Sequence, residues 1–119
     1  MLFTTVMKSN KEFLRAYNKG RYCVSIEVCV YYIRNSSPFN KLGITTSKKL
    51  GNAVQRNRAR RIIRAAYRLS EEFIPIGFDM VVVARSGIIG KKSTDIERFF
   101  KGRLPDEIRR SENERAFKK

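Results

Sequence analysis

The chain has 119 residues, and its 26 Lys and Arg residues outnumber its 11 Asp and Glu residues by 15. A single domain is usual at this length, and a hydrophobic share of 42% is too high for a disordered basic tail. No apolar run reaches the roughly 20 residues of a membrane-spanning helix, and residues 1–13 lack the apolar centre of a signal peptide. The sequence therefore predicts one folded, basic domain over residues 1–119, whose charge attracts phosphate backbones or anionic lipid.

The first predicted helix begins at a capping box. Ser9 and Glu12 have the S-x-x-E spacing at which both side chains accept open backbone N–H groups of the first turn. The helix should run to about Asn18 and stop at Gly20, a residue type that commonly ends helices.

Residues 21–33 alternate as one long strand. One face is apolar throughout and is therefore predicted to be core. Its members are Tyr22, Val24, Ile26, Val28, Val30 and Tyr32. The other face includes Tyr31, is mixed, and suits a ligand or solvent. On a straight strand Cys23 and Cys29 would lie roughly 20 Å apart, beyond disulfide reach, so both are predicted to be free thiols.

A second strand is predicted at residues 41–46, and a short, buried, central strand at residues 79–84. Between them a long helix should run from Asn52, its expected N-cap, to about Ser70. A last helix is predicted over residues 95–101.

A hydroxyl from Ser93 or Thr94 should cap this last helix. The mixed-charge tail, residues 102–119, is compatible with either a helix or a frayed end. Two strands flanking the long helix, with further helices at either end, predict a small α/β layer fold.

The long helix has an unusual distribution of charge. The segment from Lys41 to Arg68 contains nine bases and no acid. On a helical wheel one apolar stripe faces the core. It consists of Ala59, Ile62, Ile63 and Ala66. The opposite side carries an i, i+4 series of Arg56, Arg60, Arg64 and Arg68, joined by Arg61, and Arg58 lies at its edge nearest Val54. A solvated face usually mixes signs, whereas arginine rows suit phosphate oxygens, so we interpret this helix as a phosphate-binding surface. Asn57 is either a further contact or a plain surface residue.

The segment SKKLGNAVQRNRARRIIR, residues 47–64, resembles the signature of the bacterial ribonuclease P protein component family. The likeness includes the Ser-Lys-Lys entry, the Gly-Asn-Ala-Val helix start and the Arg-Asn-Arg core. It extends over about residues 8–101, since residues 10–20 are similar to the family's first helix and residues 81–85 to its last strand. The tail after Gly102 matches nothing in the family pattern.

Two positions depart from that pattern. Arg60 stands where the family more often has lysine, and Thr45 and Thr46 replace more apolar residues. Both changes are small.

This resemblance implies a fold and a function. The fold would be an α/β two-layer sandwich of the ribosomal-protein S5 domain 2 type, with an unusual left-handed βαβ crossover through the basic helix. The chain would be the RNA-binding protein subunit of ribonuclease P, whose catalytic RNA uses Mg²⁺ to remove the 5′ leader of precursor tRNA. Its partners would be that RNA and precursor tRNA, in the cytoplasm. No membrane, small-molecule substrate or protein metal site is implied.

Site residues are carried over position by position. The residues that contact the catalytic RNA would be Arg56, Asn57, Arg58, Arg60, Arg61 and Arg64. The residues that contact the leader or substrate would be Phe13, Tyr17, Tyr31, Lys48 and Lys49. No catalytic residue is implied in the protein. Phe13 and Tyr17 share a helix face, and aromatic rings beside bases suit unpaired nucleotides. They could instead pin the first helix to the sheet, and the two roles can coexist.

Three other functions suit a small basic protein. An independent nuclease would need a general base or a carboxylate cluster, but the chain has no histidine, and a helix would splay the neighbours Glu71 and Glu72 apart. A ribosomal or other structural RNA-binding protein is compatible with the composition, and only the motif argues against it. A peripheral membrane protein is disfavoured because the apolar stripe of the basic helix lacks a large anchoring aromatic.

Overall fold

The computed structural model describes residues 1–117, which form a five-stranded sheet with helices on both faces. The strands are β1 (Thr4–Val6), β2 (Arg21–Val24), β3 (Val28–Arg34), β4 (Asn40–Thr45) and β5 (Phe78–Ala84). The helices are α1 (Asn10–Lys19), α2 (Ala53–Ser70), α3 (Ser93–Lys101) and α4 (Arg103–Phe117). Short 3₁₀ turns lie at Lys48–Leu50, Glu71–Phe73 and Ser86–Ile88. The predicted α/β class is confirmed.

The sheet has the strand order β1-β4-β5-β3-β2. Strands β1, β4 and β5 are parallel neighbours, whereas β3 is antiparallel to both β5 and β2. Helix α2 connects the parallel strands β4 and β5, so the basic helix is the crossover of a βαβ unit. Strand β5 is central and every side chain except that of Val83 is buried, as its apolar sequence predicts.

Alternate residues of β5 face two separate cores. Met80 and Val82 point into the larger core, where they meet Ile63 of α2 and Ile108 of α4. Val81 points the other way, into a smaller core beneath α1. The sheet therefore separates α1 from a layer formed by α2, α3 and α4.

The predicted starts of α1 and α2 are both confirmed as capping boxes. Ser9 Oγ accepts from the Glu12 N–H at 3.3 Å, and Glu12 Oε1 accepts from the Ser9 N–H at 3.2 Å. In α2, Asn52 Oδ1 accepts from Gln55 N–H and Gln55 Oε1 accepts from Asn52 N–H, both at 2.9 Å. These bonds satisfy backbone donors that a helix start leaves open. Both helices also end where the sequence predicts.

The prediction of a single strand over residues 21–33 is wrong, because the chain folds back there as a β2–β3 hairpin. Ser25 N–H donates to Val28 O at 2.8 Å, and Ser25 Oγ accepts from Val28 N–H at 3.2 Å. The Arg85 guanidinium donates to Ser25 O at 2.5 Å and holds the turn against the end of β5. The turn contains no Gly, Pro or Asn, so the sequence lacks the usual hairpin signal.

The hairpin changes the predicted faces of β2. Odd-numbered residues of β2 pair with even-numbered residues of β3, so Cys23, and not Tyr22, shares the core face with Val30. Cys23 is buried, Val24 is half-buried, and Tyr22 and Ile26 are 64% and 70% exposed. The predicted core residues of β3 are confirmed as buried: Val28, Val30 and Tyr32. Both cysteines are free, as predicted, although they lie on adjacent strands.

Strand β1 was not predicted, and a buried carboxylate holds it in place. Glu71, just after α2, accepts from Leu2 N–H at 2.7 Å, from Phe3 N–H at 3.0 Å and from the Thr4 hydroxyl at 2.5 Å. Burial raises the pKa of Glu71, but these hydrogen bonds lower the pKa by more, so it lies below its usual value. An ionised carboxylate in the fold therefore fixes the edge of the sheet.

The two C-terminal helices refine the prediction. Helix α3 begins at Ser93, and its first turn is capped by the Asp95 carboxylate, which accepts from Lys92 N–H at 2.9 Å, and not by a hydroxyl. The tail forms α4, which buries Ile108 in the larger core; residues 118–119 lie outside the described residues. The sequence left both a helix and a frayed end open for the tail, and the structure shows a helix that joins α2 and α3 in the helical layer.

A substitution at Glu12 tests how much the charge of this carboxylate at the start of α1 stabilises the fold. Its hydrogen bond with Lys41, 2.9 Å away, is the main reason why the pKa of Glu12 falls from 4.5 to about 2; burial opposes the shift. Glu12→Gln keeps a capping acceptor but removes the charge. Since Lys41 is 44% exposed, we expect a loss of only about 1 kcal/mol at pH 7 in urea unfolding.

The sign of the pH dependence follows from the lowered pKa. The carboxylate stabilises the fold above pH 4.5, and this contribution is lost as the pH falls toward 2. The difference between the wild type and Glu12→Gln should therefore shrink over that range. A difference that stays constant with pH would mean that the charge contributes nothing.

Candidate nucleic-acid interface

The solvent side of α2 is a continuous basic surface. We call its six arginines the arginine face: Arg56, Arg58, Arg60, Arg61, Arg64 and Arg68. Arg56 is half-buried and the other five are exposed, as is Asn57 between them. On the opposite side Ala59, Ile63 and Ala66 are buried in the larger core, and Ile62 is half-buried. The predicted division of α2 into an apolar stripe and an arginine side is confirmed.

No carboxylate within residues 1–117 pairs with the arginine face. The eight ion pairs in this part of the chain involve other bases and use eight of the eleven acids. Glu71 accepts hydrogen bonds from the β1 segment, and Asp95 caps α3. Arginines four residues apart on one helix repel each other. A bound polyanion would relieve this repulsion.

The N-terminus of α2 adds to the positive potential. Its first turn contains no acid, so nothing offsets the positive end of the helix dipole. Lys48 and Lys49 lie in the exposed 3₁₀ turn just before it. Gly51 joins the two with φ +151°, and a side chain there would lie 2.0 Å from Gln55 Oε1. A glycine is therefore needed where the basic turn leads into the basic helix.

The other face of the sheet carries a second surface, arranged in rows that cross the strands. The first row holds Lys41, Asp79 and Ile33. The second holds Gly43, Val81, Tyr31 and Tyr22. The third, which we call the open row, holds Thr45, Val83, Cys29 and Val24. Each row follows from the strand register, because paired residues point to the same face.

Helix α1 covers the first two rows from β4 to β3, and it leaves Tyr22 on β2 and the third row uncovered. Arg15 lies 3.5 Å from Asp79, and Lys41 pairs with Glu12 of α1, so two ion pairs hold the helix over the first row. Val81 in the second row is fully buried. All four residues of the open row are only half-buried. The open row is therefore the floor of a cleft beside α1, which we call the α1 cleft.

Three predicted aromatic residues come together beside this floor. The Tyr17 and Tyr31 rings meet edge to face with centroids 5.0 Å apart. Phe13 packs on β4, where Gly43 leaves room for its ring. All three are half-buried within the smaller core cluster. These rings attach α1 to the sheet, which is the packing role considered for Phe13 and Tyr17, and none of them is fully buried.

Tyr22 is a site candidate that the sequence interpretation missed. The alternation of residues 21–33 predicts that it is core, but the hairpin register places it beside Tyr31 on the α1 side of the sheet. The two ring centroids are 5.9 Å apart. The only available signal was the pair of polar residues, Ser25 and Glu27, that interrupts an otherwise apolar run.

The two basic lysines of the 3₁₀ turn lie between the two surfaces along the chain. Thr45 ends β4 and the open row, and Lys48 and Lys49 follow directly before α2. The two lysines thus connect the mouth of the α1 cleft with the start of the arginine face.

The floor of the α1 cleft carries no negative charge at neutral pH. Burial raises the pKa of the Cys29 thiol. The neighbouring Cys29 and burial raise the pKa of the Tyr31 phenol. Both groups therefore stay neutral, and nothing on the floor repels an anionic strand.

Within residues 1–117 no three His, Cys, Asp or Glu side chains lie close enough together to hold a metal ion. None of the helices described has the length and apolarity needed to cross a membrane.

A basic helix face and an aromatic cleft on one small α/β domain are typical of a nucleic-acid-binding protein. The sequence model described as Ribonuclease P matches residues 3–105, and the chain belongs to this family of ribonuclease P proteins. It is accordingly an RNA-binding component of an endoribonuclease complex that processes tRNA, with the RNA of that complex as its partner.

Relatives and solved structures agree with this assignment. The ribonuclease P protein component of Lachnoclostridium phytofermentans is 38% identical over 90 residues, which cover 76% of this chain and 78% of the relative. The Staphylococcus aureus RNase P protein is 33% identical, with a TM-score of 0.64 over 78% of this chain and 85% of that one. The RNase P protein from Thermotoga maritima shares the fold, with a TM-score of 0.76 at 24% identity over 86% and 96% of the two chains.

The contact between Gly43 and Phe13 can be tested by adding one methyl group. A Cβ at Gly43 would lie 2.6 Å from the Phe13 ring and 3.2 Å from Met7 Sδ. We expect Gly43→Ala to displace the ring and to cost about 1–3 kcal/mol in denaturant unfolding. In a Phe13→Leu background the same change should cost less, since the obstructing ring is gone. An equal cost in both backgrounds would show that the ring is not the obstacle.

Proposed function

We propose that this ribonuclease P protein uses its two surfaces for two different RNAs. The arginine face of α2, with Asn57, binds the catalytic RNA. The α1 cleft, with Lys48 and Lys49 at its mouth, holds the single-stranded 5′ leader of precursor tRNA. The observation that carries the proposal is the arginine face, which has no counter-charge within the described residues.

The arginine face suits structured RNA because its donors are fixed on a rigid, well-packed helix. Guanidinium groups bind phosphate oxygens in a bidentate manner and remain charged at any physiological pH. The buried stripe of α2 holds them in one orientation. Contacts of this kind position a protein on an RNA without reading its sequence.

The α1 cleft suits an unpaired strand. Its aromatic rings can stack on bases of any sequence, and its uncharged floor does not repel phosphates. Helix α1 forms one wall, and the lysines at the mouth can neutralise the backbone where the leader joins the tRNA. The mature tRNA lacks the leader, so the cleft favours precursor over product.

In this proposal the protein performs no chemical step. The catalytic RNA cuts the leader with Mg²⁺, and the protein brings two polyanions together. Their mutual repulsion must otherwise be screened by salt or Mg²⁺. A protein of net charge +15 at their junction reduces the Mg²⁺ that assembly needs. The same proposal places the protein in the cytoplasm, where precursor tRNA is made.

Reconstitution tests this function. The protein should restore cleavage at the mature 5′ end when it is mixed with a bacterial ribonuclease P RNA and precursor tRNA at low Mg²⁺. A triple change of Arg56, Arg58 and Arg61 to Ala should abolish this rescue. Each lost phosphate contact should lower the salt dependence of RNA binding by about one unit of logarithmic slope.

A second triple variant controls for net charge. Arg98, Arg103 and Arg115 are exposed and belong to no ion pair within residues 1–117. Changing these three to Ala removes the same charge away from α2 and should leave rescue largely intact. Equal loss of rescue in both variants would show that the net charge of the protein matters and that the position of the arginines does not. Tight RNA binding by the wild type without any rescue would instead indicate a structural RNA-binding protein.

The cleft is tested by comparing precursor with mature tRNA. With wild-type protein the assembled enzyme should bind precursor more tightly than mature tRNA. Tyr17→Ala should remove about 1–3 kcal/mol of this preference, the usual contribution of one stacked base, whereas Tyr17→Phe should retain most of it. Affinity for mature tRNA should not change. Equal binding of both RNAs by the wild type would place the leader elsewhere.

A further inference from the structure

We propose that Tyr22 forms an additional nucleotide subsite at the β2 edge of the sheet, so that the leader-binding surface continues beyond the α1 cleft. This inference rests on the proposed function and extends it. The subsite would bind leader nucleotides far from the cleavage point, by stacking one base on the Tyr22 ring.

Tyr22 continues a contiguous series of aromatic rings. Tyr17 of α1 touches Tyr31 at a centroid distance of 5.0 Å, and Tyr31 lies 5.9 Å from Tyr22 at an interplanar angle of 45°. The three rings lead from the wall of the cleft across β3 to β2. A strand that follows Tyr17 and Tyr31 therefore meets Tyr22 next.

The exposure of Tyr22 leaves its ring available to a base. Tyr22 is 64% exposed, whereas Tyr17 and Tyr31 are half-buried. Strand β2 is the edge strand of the sheet, and no further strand among residues 1–117 covers the outer side of the ring. Cross-strand packing against Tyr31 accounts for one side of the ring only. A stacked nucleotide would cover the other side.

A basic side chain lies at the same edge of the sheet, one residue before the ring. Arg21 points to the opposite, α4 face of β2, as neighbours on a strand do, and it lines with Tyr22 one groove of about 530 Å³ at this edge, within reach of a strand that passes over the edge beyond Tyr22. Arg21 pairs with Glu114 at 3.3 Å, and both side chains are about half exposed, at 55% and 49%. An exposed pair of this kind contributes little, so Arg21 can exchange the carboxylate for a phosphate at small cost.

The position of Tyr22 makes its contribution depend on leader length. The open row crosses four strands, from β4 to β2, which at strand spacings of 4.7–4.9 Å is roughly 14–15 Å. Lys48 and Lys49 lie at the β4 side and Tyr22 at the β2 side. A leader that enters at the lysines must cross this width before it reaches Tyr22. Only leaders longer than the cleft can use the subsite.

The experiment measures the affinity of the assembled enzyme for a series of precursor tRNAs with increasing leader length. Tyr22→Ala should weaken binding of long-leader precursors by about fivefold or more and leave short-leader precursors and mature tRNA unchanged. Tyr22→Phe should restore the loss, because the ring and not the hydroxyl stacks. Arg21→Ala should lower the salt dependence for long leaders only.

Three results would overturn the subsite. Long-leader affinity could be unchanged in Tyr22→Ala, the loss could be the same at every leader length, or Tyr22→Phe could fail to restore it. A uniform loss would assign Tyr22 a packing role within the hairpin. Two other measurements show whether the proposed function itself fails. They are the rescue of cleavage by the wild type and the effect of Tyr17→Ala on precursors with short leaders. If those behave as proposed and Tyr22→Ala does not, only the subsite is wrong.

Discussion

The separation of charge in this small domain governs the rest of its structure. Eight of its eleven acids pair with bases on three strands of the sheet, on α1, α3 and α4 and in the segment before α3, and two more hold β1 and cap α3. The arginine face of α2 receives none of them within residues 1–117. Its self-repulsion must be offset by burial of the opposite stripe, where Ile63 and Ala66 are fully buried. The helix is thus stabilised by packing and destabilised by its own charge, and bound anions that recognise the native state would favour folding.

The sheet places the charged helix on one of its faces and the α1 cleft on the other. Because β5 is buried on both sides, alternate residues support α2 on one face and α1 on the other. One domain can therefore present phosphate-binding arginines and an aromatic cleft at the same time. The short turn with Lys48 and Lys49 links them, since it follows the last residue of the open row and precedes α2. In the proposed function, this arrangement holds the two RNAs in a fixed relation.

Local signals in the sequence were enough to predict α1, α2 and β5. The capping boxes at Ser9 and Asn52 specify helix starts through contacts only three residues apart, and a 3.6-residue period defines the buried side of α2. The prediction failed where the outcome depends on distant partners. Strand β1 exists because Glu71 and β4 receive it. The apolar character of its sequence alone does not identify its partner.

By itself, the sequence determined the amphipathic basic helix, its N-cap at Asn52, the central strand and, through the SKK…GNAV…RNR pattern, the family. These properties depend on composition and on short-range periodicity. Only the tertiary structure decided that residues 21–33 form a hairpin, that Tyr22 leaves the core for the aromatic side of the sheet, and that α4 completes the helical layer. The physical reason is that side chains alternate with a period of two both in one long strand and in the two strands of a hairpin, so the alternation does not reveal the turn. The register against the partner strand decides which face is buried.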